Sequence, residues 1–572
     1  MICRSTSVPG IPPKPKLSLL KQQVLSQLGR CNTLTHLESL YAFMVKKHAD
    51  QDCFLMNQFI SVCSHAGRVR LSVAAFERMR CPNVFVYNAM IRSLVCCGFP
   101  RDALRCFGNM LAAGVRPTSY TFSSLMKACG ASNDPRSGAG VHGHVRRSGL
   151  DSNLFVQTAL VDFYGRFHEV GDAKKVFDEM IERDVFAWST LISSYTRVGD
   201  MISARCLFDQ MPERNTATWN SLIDGYSRMG EVEMAESLFD SMTERDVISW
   251  TTMITCYSQN RRYGGALALF EEMTSLGIMP DEVTLATVLS ACAHHGALYA
   301  GRKIHRFLLQ NQVWIDVYVG SALVDMYAKC GDLSASLLVF YKLLEKNLFC
   351  WNSIIEGLAM HSQAKQALVM FGKMEKEKVQ PNGVTFISVL SACSHAGLVK
   401  EGRIIFQRMM KDYSLDPEVE HYGCMVDLLS KAGLLEEALE MVNSMTTPPN
   451  SVIWGTVLTG CKIHKNLDIA RIAIDALNVL EPDGGGHQAL LVSMYAESNR
   501  WVEVAEIRAA MKDARAVESP GHSCIEVDGQ IHQFAASDSY HPNSNHIYLL
   551  LDNLELQMRR VFYILNLSAC DL

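Results

Sequence analysis

The chain of 572 residues lacks several things at once, and each absence excludes a class of protein. No two of its 19 cysteines stand in a C-x-x-C spacing, so nothing marks a zinc knuckle or a thioredoxin-type dithiol. Their odd number and even spread read as reduced thiols in an intracellular compartment. A secretory h-region is missing from the start. So is any run of about 20 predominantly apolar residues, the length a membrane-spanning helix needs. The nearest stretch, Val283 to Gly301, is uncharged but interrupted by Thr284, Ser290, His294, His295 and Gly296. No membrane contact is therefore expected. Charge of one sign is also scarce: a net charge of -5 excludes a uniformly basic nucleic-acid coat while leaving room for a basic groove. Finally, residues 1 to 37 contain no Asp or Glu, yet carry Arg4, Lys14, Lys16, Lys21 and Arg30 among Ser5, Thr6, Ser7 and Ser18. That composition fits an organelle transit peptide, assigned to residues 1–17, with mitochondrion as destination and chloroplast as the alternative.

What is present is enough apolar material to fold, 48% of residues against 20% charged. A single compact core rarely exceeds about 250–300 residues, so the chain must be multi-domain or an elongated array. Self-comparison decides between the two. Trp188, Trp219 and Trp250 recur every 31 residues, as do Val176-Phe177-Asp178, Leu207-Phe208-Asp209 and Leu238-Phe239-Asp240. Glu182-Arg183-Asp184, Glu213-Arg214-Asn215 and Glu244-Arg245-Asp246 share that period. A longer offset of 101 residues separates VTLATVLSACAHHG at Val283 from VTFISVLSACSHAG at Val384, which is two units of 35 and one of 31. YTFSSLMKACG at Tyr120 is an earlier copy. The two unit lengths differ by four residues, about one helical turn.

Within 216–246, Trp219, Leu222, Ile223 and Tyr226 fall on one helix face, Gly230 breaks the pattern, and Ala235, Leu238, Phe239 and Met242 form a second face. Each unit is a helix–turn–helix pair that cannot bury its apolar face alone, so neighbours must stack. The expected fold is all-α: a right-handed α-solenoid superhelix of stacked helix-turn-helix repeats.

Alternating units of 35, 35 and 31 residues, with VFVYNAMIRSL, YTFSSLMKACG and SALVDMYAKCGDL as motifs, resemble the plant pentatricopeptide-repeat (PPR) proteins of the PLS subfamily over roughly residues 18 to 560. The 31/35 alternation argues against a 34-residue tetratricopeptide array. The array is framed as 18–450. Residues 451–520 resemble the E domain, a PPR-like helical extension, and 521–560 the E+ segment, although the family usually has tryptophan where this chain has Cys524. Residues 561–572 form a divergent tail.

The resemblance implies reading of single-stranded RNA, one base per unit, through the fifth and last residues of each. A terminal Asp only accepts hydrogen bonds and suits the imino N–H of G or U; a terminal Asn can donate and suits A or C. In this family a small hydroxyl at position five goes with purines and Asn with pyrimidines. The RNA-binding residues expected on this basis are paired as follows. Asn57 with Asn83 reads a pyrimidine, preferably C, and Asn88 with Thr118 a pyrimidine. Thr158 with Asp184 reads G, Ser189 with Asn215 A, Asn220 with Asp246 U, and Thr251 with Asp281 G. Ser321 with Asn347 reads A, and Asn352 with Asn382 a pyrimidine, preferably C. Ser123 with Asn153, Ala286 with Asp316, and Ile387 with Glu418 are left unassigned. The expected target is Y-Y-N-G-A-U-G-N-A-Y. Second-position residues such as Phe186, Ile248, Tyr318 and Phe349 are candidates to wedge between bases, or to serve as ordinary packing.

Other signals are discounted. Gly138, Gly140 and Gly143 match G-x-G-x-x-G but sit inside a helix rather than between a strand and a helix. Cys129, Cys292 and Cys393 share one repeat position, as do His142 and His305, which indicates packing. A zinc cytidine deaminase needs H-x-E and P-C-x-x-C; His36-Leu37-Glu38 lies near the N-terminus and the cysteine pair is missing. The chain is thus expected not to be an enzyme, with no cofactor and no metal. The resemblance implies a monomer that selects a C-to-U editing site on an organellar transcript. It would recruit a DYW-type cytidine deaminase and organellar editing accessory proteins in trans. The alternatives are a splicing, stability or translation factor using the same RNA binding, and a protein–protein scaffold without RNA.

Overall fold

The structure, a computed structural model, describes residues 19–29, 34–481, 485–498, 500–505, 508, 522–527, 530–535 and 541–570. The proposed leader 1–17 lies outside them, as do most of 506–521 and the end of the tail. The chain divides after Cys256 into two units, each an α-solenoid.

In the first unit, helices pair as the periodicity requires. The first helices α11 (Val185–Val198) and α13 (Thr216–Met229) alternate with the second helices α12 (Met201–Gln210) and α14 (Val232–Ser241). Helix α11 packs on α12 and on α13, and α13 on α14. The four-residue difference between unit lengths is one turn of the second helix. It has 9 or 10 residues in 31-residue units (α10, Val170–Asp178; α12; α14) and 13 in 35-residue units (α6, Pro100–Ala112; α8, Pro135–Arg147). Gly230, at φ 78°, closes α13 in the left-handed region that glycine tolerates.

The three recurring sequence landmarks meet at one joint. The Phe208 ring lies edge-on to Trp219 with centroids 4.6 Å apart, and the Arg214 guanidinium sits 4.8 Å above that ring while its Nε donates to the Phe208 carbonyl at 3.1 Å. Phe177 with Trp188 and Arg183, and Phe239 with Trp250 and Arg245, repeat the joint. Aromatic edge contact and a stacked cation each add to simple area burial. Conformity to one period therefore encodes one inter-unit contact.

The second unit continues the pattern through α16 (Tyr263–Ser275) to α26 (Leu435–Asn443). The uncharged stretch from Val283 is split at Gly296, φ 73°, into α17 (Glu282–His295) and α18 (Leu298–Gln310). Among the described residues no helix is long and apolar enough to cross a membrane. Beyond the array, α27 (Ser451–His464), α28 (Leu467–Leu480) and α29 (Gly485–Glu497) extend the stack.

Then the helical period ends. β1 (His522–Val527) and β2 (Gln530–Ala535) form an antiparallel hairpin with Ile525 opposite His532, followed by α30 (Ser544–Cys570). The hairpin is an addition to the all-α reading, carried by two six-residue segments too short for another helical pair. Its Glu526 carboxylate returns to the array and accepts the backbone N–H of Tyr299 at 3.2 Å, at the start of α18, whose own N-cap position is Ala297.

The glycine motif at 138–143 lies within α8, where Gly138 is a packing residue: a Cβ there would collide with the Phe163 ring. Cys129, Cys292 and Cys393 are fully buried. His142 meets the Tyr164 hydroxyl at 2.7 Å and His305 the Tyr327 hydroxyl at 2.9 Å, a repeated contact between a second helix and the following first helix.

Candidate functional site

The last residue of each unit is the N-cap of the next first helix. Asn83, Asn215, Asn347 and Asn382 accept, through Oδ1, the backbone N–H of the third helical residue, at 3.1, 2.9, 2.8 and 3.1 Å. Asp184, Asp246 and Asp281 do the same at 2.8 Å. Thr118 closes a capping box with Thr121. An N-cap needs an oxygen acceptor to satisfy orphan helix donors. This requirement polarises the side chain. An Asn must commit its oxygen to the helix and keep its NH2 free, whereas an Asp commits one oxygen and keeps another acceptor. The same cap therefore offers a donor when it is Asn and an acceptor when it is Asp. All these last-position side chains are half-buried or exposed.

The fifth residues lie deeper, on the first helix. Asn220, Thr251, Ser321 and Asn352 are buried, and Asn57, Asn88, Thr158 and Ser189 half-buried. The hydroxyls of Thr158, Ser189, Thr251 and Ser321 reach the carbonyl four residues earlier, at 2.9, 2.7, 2.7 and 2.6 Å, and those of Ser189 and Ser321 also reach Asn215 Oδ1 and Asn347 Oδ1, so the single proton has two acceptors there. The structure brings four pairs into direct contact: Asn88 with Thr118 at 3.1 Å, Ser189 with Asn215 at 3.4 Å, Ser321 with Asn347 at 3.0 Å and Asn352 with Asn382 at 3.2 Å. Asn220 also hydrogen-bonds Asp246. Among the described residues no hydrogen bond joins Asn57 to Asn83 or Thr158 to Asp184. Thr251 and Asp281 belong to different units of the solenoid.

Burial works to raise the Asp246 carboxyl pKa, but hydrogen bonds from the Ser249 backbone and hydroxyl, Thr216 and Asn220 outweigh it and the net direction is down. Asp246 is thus held as a carboxylate that only accepts.

At the second position of seven repeats stands an exposed large apolar residue: Phe85, Tyr120, Phe155, Phe186 and Ile248 in the first unit, Tyr318 and Phe349 in the second, all 55–77% exposed. Large apolar side chains left so open at one repeat position are available as stacking faces.

Sequence reasoning passed over a further set, the third residue of the following first helix. Thr121, Thr218, Ser249 and Thr385 are fully buried and bond to the paired residues. The T-x-x-T and N-x-x-T spacing of a capping box is the signal that could have found two of them, since Thr118–Thr121 and Asn382–Thr385 are complete boxes.

Comparison with known proteins places this arrangement. Residues 82–131, 245–294 and 346–395 match the PPR repeat family. Residues 158–185, 186–216, 217–247, 321–348, 384–413 and 420–447 match the PPR repeat, and 464–526 the E motif. A pentatricopeptide repeat-containing protein of Arabidopsis thaliana is 53% identical over 550 residues, 96% of this chain and 95% of the relative. Another from that plant, labelled chloroplastic, is 35% identical over 667 residues, 98% of this chain and 86% of the relative. Among solved structures, the pentatricopeptide repeat protein PPR10 in complex with an 18-nt psaJ RNA element covers 86% of this chain and 92% of its own, at 18% identity and a TM-score of 0.40. With repeats and extension both matched, and such identity over nearly the whole length, the chain belongs to the pentatricopeptide-repeat family as a PLS-type member with an E extension.

Proposed function

We propose that this chain is a sequence-specific single-stranded RNA-binding protein of a plant organelle. In this reading it selects a site for C-to-U editing and recruits a DYW-type cytidine deaminase and accessory proteins in trans. The observation that carries the base-reading is the double use of the last-position residue. The helix requires its oxygen, so its identity as Asn or Asp decides whether a donor or an acceptor faces the ligand. The pairs Asn57/Asn83, Asn88/Thr118, Thr158/Asp184, Ser189/Asn215, Asn220/Asp246, Thr251/Asp281, Ser321/Asn347 and Asn352/Asn382 then read Y-Y-N-G-A-U-G-N-A-Y from 5′ to 3′. The E-motif match over 464–526 supports editing over splicing, stability or translation. The chain acts as a monomeric binder without cofactor, and the chemistry belongs to the recruited enzyme. The acid-free leader supports import into mitochondria, with chloroplasts as the alternative.

The test is a gel shift of the full chain on 5′-CUAGAUGAAC-3′. Tight binding that weakens with salt is expected, because phosphate contacts release counterions. Replacing the A opposite Ser189/Asn215 by G should weaken binding, and Asn215→Asp should restore it. Loss of the protein in the plant should abolish conversion of one C, about four nucleotides downstream of the base aligned with unit 419–450, an offset the family resemblance implies. Absence of RNA binding at moderate salt sinks the proposal and favours a protein scaffold.

A further inference from the structure

We propose that the reading element is a triad rather than a pair: the hydroxyl at the third position of the following first helix is a positioning residue that sets which way the paired amides face. This rests on the RNA-reading proposal above and extends it to residues outside the fifth and last positions.

The hydroxyl has one proton, and its acceptor changes with the pair. Where the fifth residue is Asn and the last is neutral, the proton goes to the fifth: Thr121 Oγ1 donates to Asn88 Oδ1 at 2.6 Å, and Thr385 Oγ1 to Asn352 Oδ1 at 2.7 Å. Where the last residue is Asp, the carboxylate takes it: Ser249 Oγ donates to Asp246 Oδ1 at 2.8 Å. A charged acceptor wins such a contest because charge-assisted bonds are the stronger ones. The loser is visible. Asn220 Oδ1 is buried and has no hydrogen-bond partner. Two Asn units that look alike in sequence thus differ in state, Asn352 latched by Thr385 and Asn220 unlatched.

The latch has a consequence for the base. With Asn352 Oδ1 held by Thr385, its Nδ2 faces Asn382 and donates to Oδ1 at 3.2 Å. Asn382 Oδ1 also receives the Thr385 N–H at 3.1 Å and is 3.0 Å from the Thr385 hydroxyl. Two donors, Asn352 Nδ2 and the Thr385 N–H, converge on that oxygen, so the Asn382 NH2 is the group left for the ligand, matched to the ring-nitrogen acceptor of C. Without the hydroxyl, Asn352 Oδ1 is released and competes for the Asn382 NH2. That contest takes the Asn382 NH2 away from the base while its Oδ1 stays on the helix cap, so the donor matched to C is lost. Thr385 is therefore a source of C-over-U preference although it is fully buried itself.

The experiment compares the full chain on 5′-CUAGAUGAAC-3′ with the same RNA ending in U, and separately with A-to-G exchange opposite Ser321/Asn347. Thr385→Val, nearly isosteric, should reduce the C-over-U ratio by roughly three- to ten-fold, the worth of one hydrogen bond. The A-over-G ratio at the neighbouring unit should not move. Thr385→Ser, which keeps the hydroxyl, should restore the wild-type ratio. An unchanged ratio in Thr385→Val overturns the triad, and so does a Thr385→Ser variant as impaired as Thr385→Val, since packing alone then accounts for the residue. If wild type itself does not distinguish C from U there while still binding RNA, the pair reading fails at this unit and the triad falls with it.

Discussion

The Glu526 carboxylate accepts the backbone N–H of Tyr299, 227 residues earlier in the chain, and so ties the C-terminal hairpin to the start of α18. The helix supplies no side-chain cap of its own, and an anion at a helix N-terminus meets both unpaired N–H groups and the positive end of the dipole. Glu526→Ala should release the hairpin. Amide exchange at Tyr299 and protease sensitivity around 522–535 should rise, while protection of the helices of the array stays as it is. Unchanged exchange at Tyr299 would show that the contact holds nothing in place.

The joint built by Phe208, Trp219 and Arg214 gives a local stability prediction. Phe208→Ala removes a buried ring and should cost about 3–5 kcal/mol. Because a solenoid is held by nearest-neighbour interfaces, the loss should concentrate in units 185–215 and 216–246 rather than spread along the chain. Hydrogen exchange resolved by peptide measures this, and a uniform loss of protection contradicts it.

Asn382 separates capping from reading. Asn382→Ala removes the cap oxygen and should destabilise the chain by about 1 kcal/mol. Asn382→Asp keeps an acceptor, so thermal stability should hold while preference at the aligned base moves from C to U. Melting curves and competition binding on the two RNAs check the two halves independently.

His142 and His305 should make the fold sensitive to acid. Burial holds both below the ordinary imidazole value, with Arg146 adding to the effect at His142, where Glu179, Asp151 and Asp172 oppose it, and Lys342 adding to it at His305. A base whose folded pKa is depressed is more readily protonated when unfolded. Its contribution is therefore complete above the unfolded value, about 6.5, and is lost as pH falls through the folded one. Melting temperature should drop on acidification from pH 7.5 to 5. In the double variant His142→Asn, His305→Asn the drop should be smaller, and an equal drop would assign it to other groups.

The cysteines should divide by burial. Burial pushes the Cys129 thiol up to about 12 and Cys393 to about 11, so neither supplies thiolate near neutrality. Cys81, Cys96 and Cys206 are exposed. Brief alkylation of the native chain at pH 8 should modify these three and spare Cys129, Cys292 and Cys393. Early modification of Cys292, among the most enclosed, would mean that the second unit opens readily.

The sequence by itself determined the repeat architecture, because a solenoid uses one local contact many times and each use leaves the same residues at the same spacing. Trp188, Trp219 and Trp250 could be aligned without any structure, and so could the four-residue length difference that becomes one turn of α12 or α6. The last-position residues were legible for the same reason, since a cap recurs with its helix. Tertiary structure alone decided what does not repeat. The hairpin's return to Tyr299 depends on where distant parts of the second unit lie. The partner of each third-position hydroxyl differs from unit to unit and is set by the residues the fold brings beside it. Thr385 donates to Asn352 Oδ1 and Ser249 to the Asp246 carboxylate, and only the folded geometry sets those partners side by side.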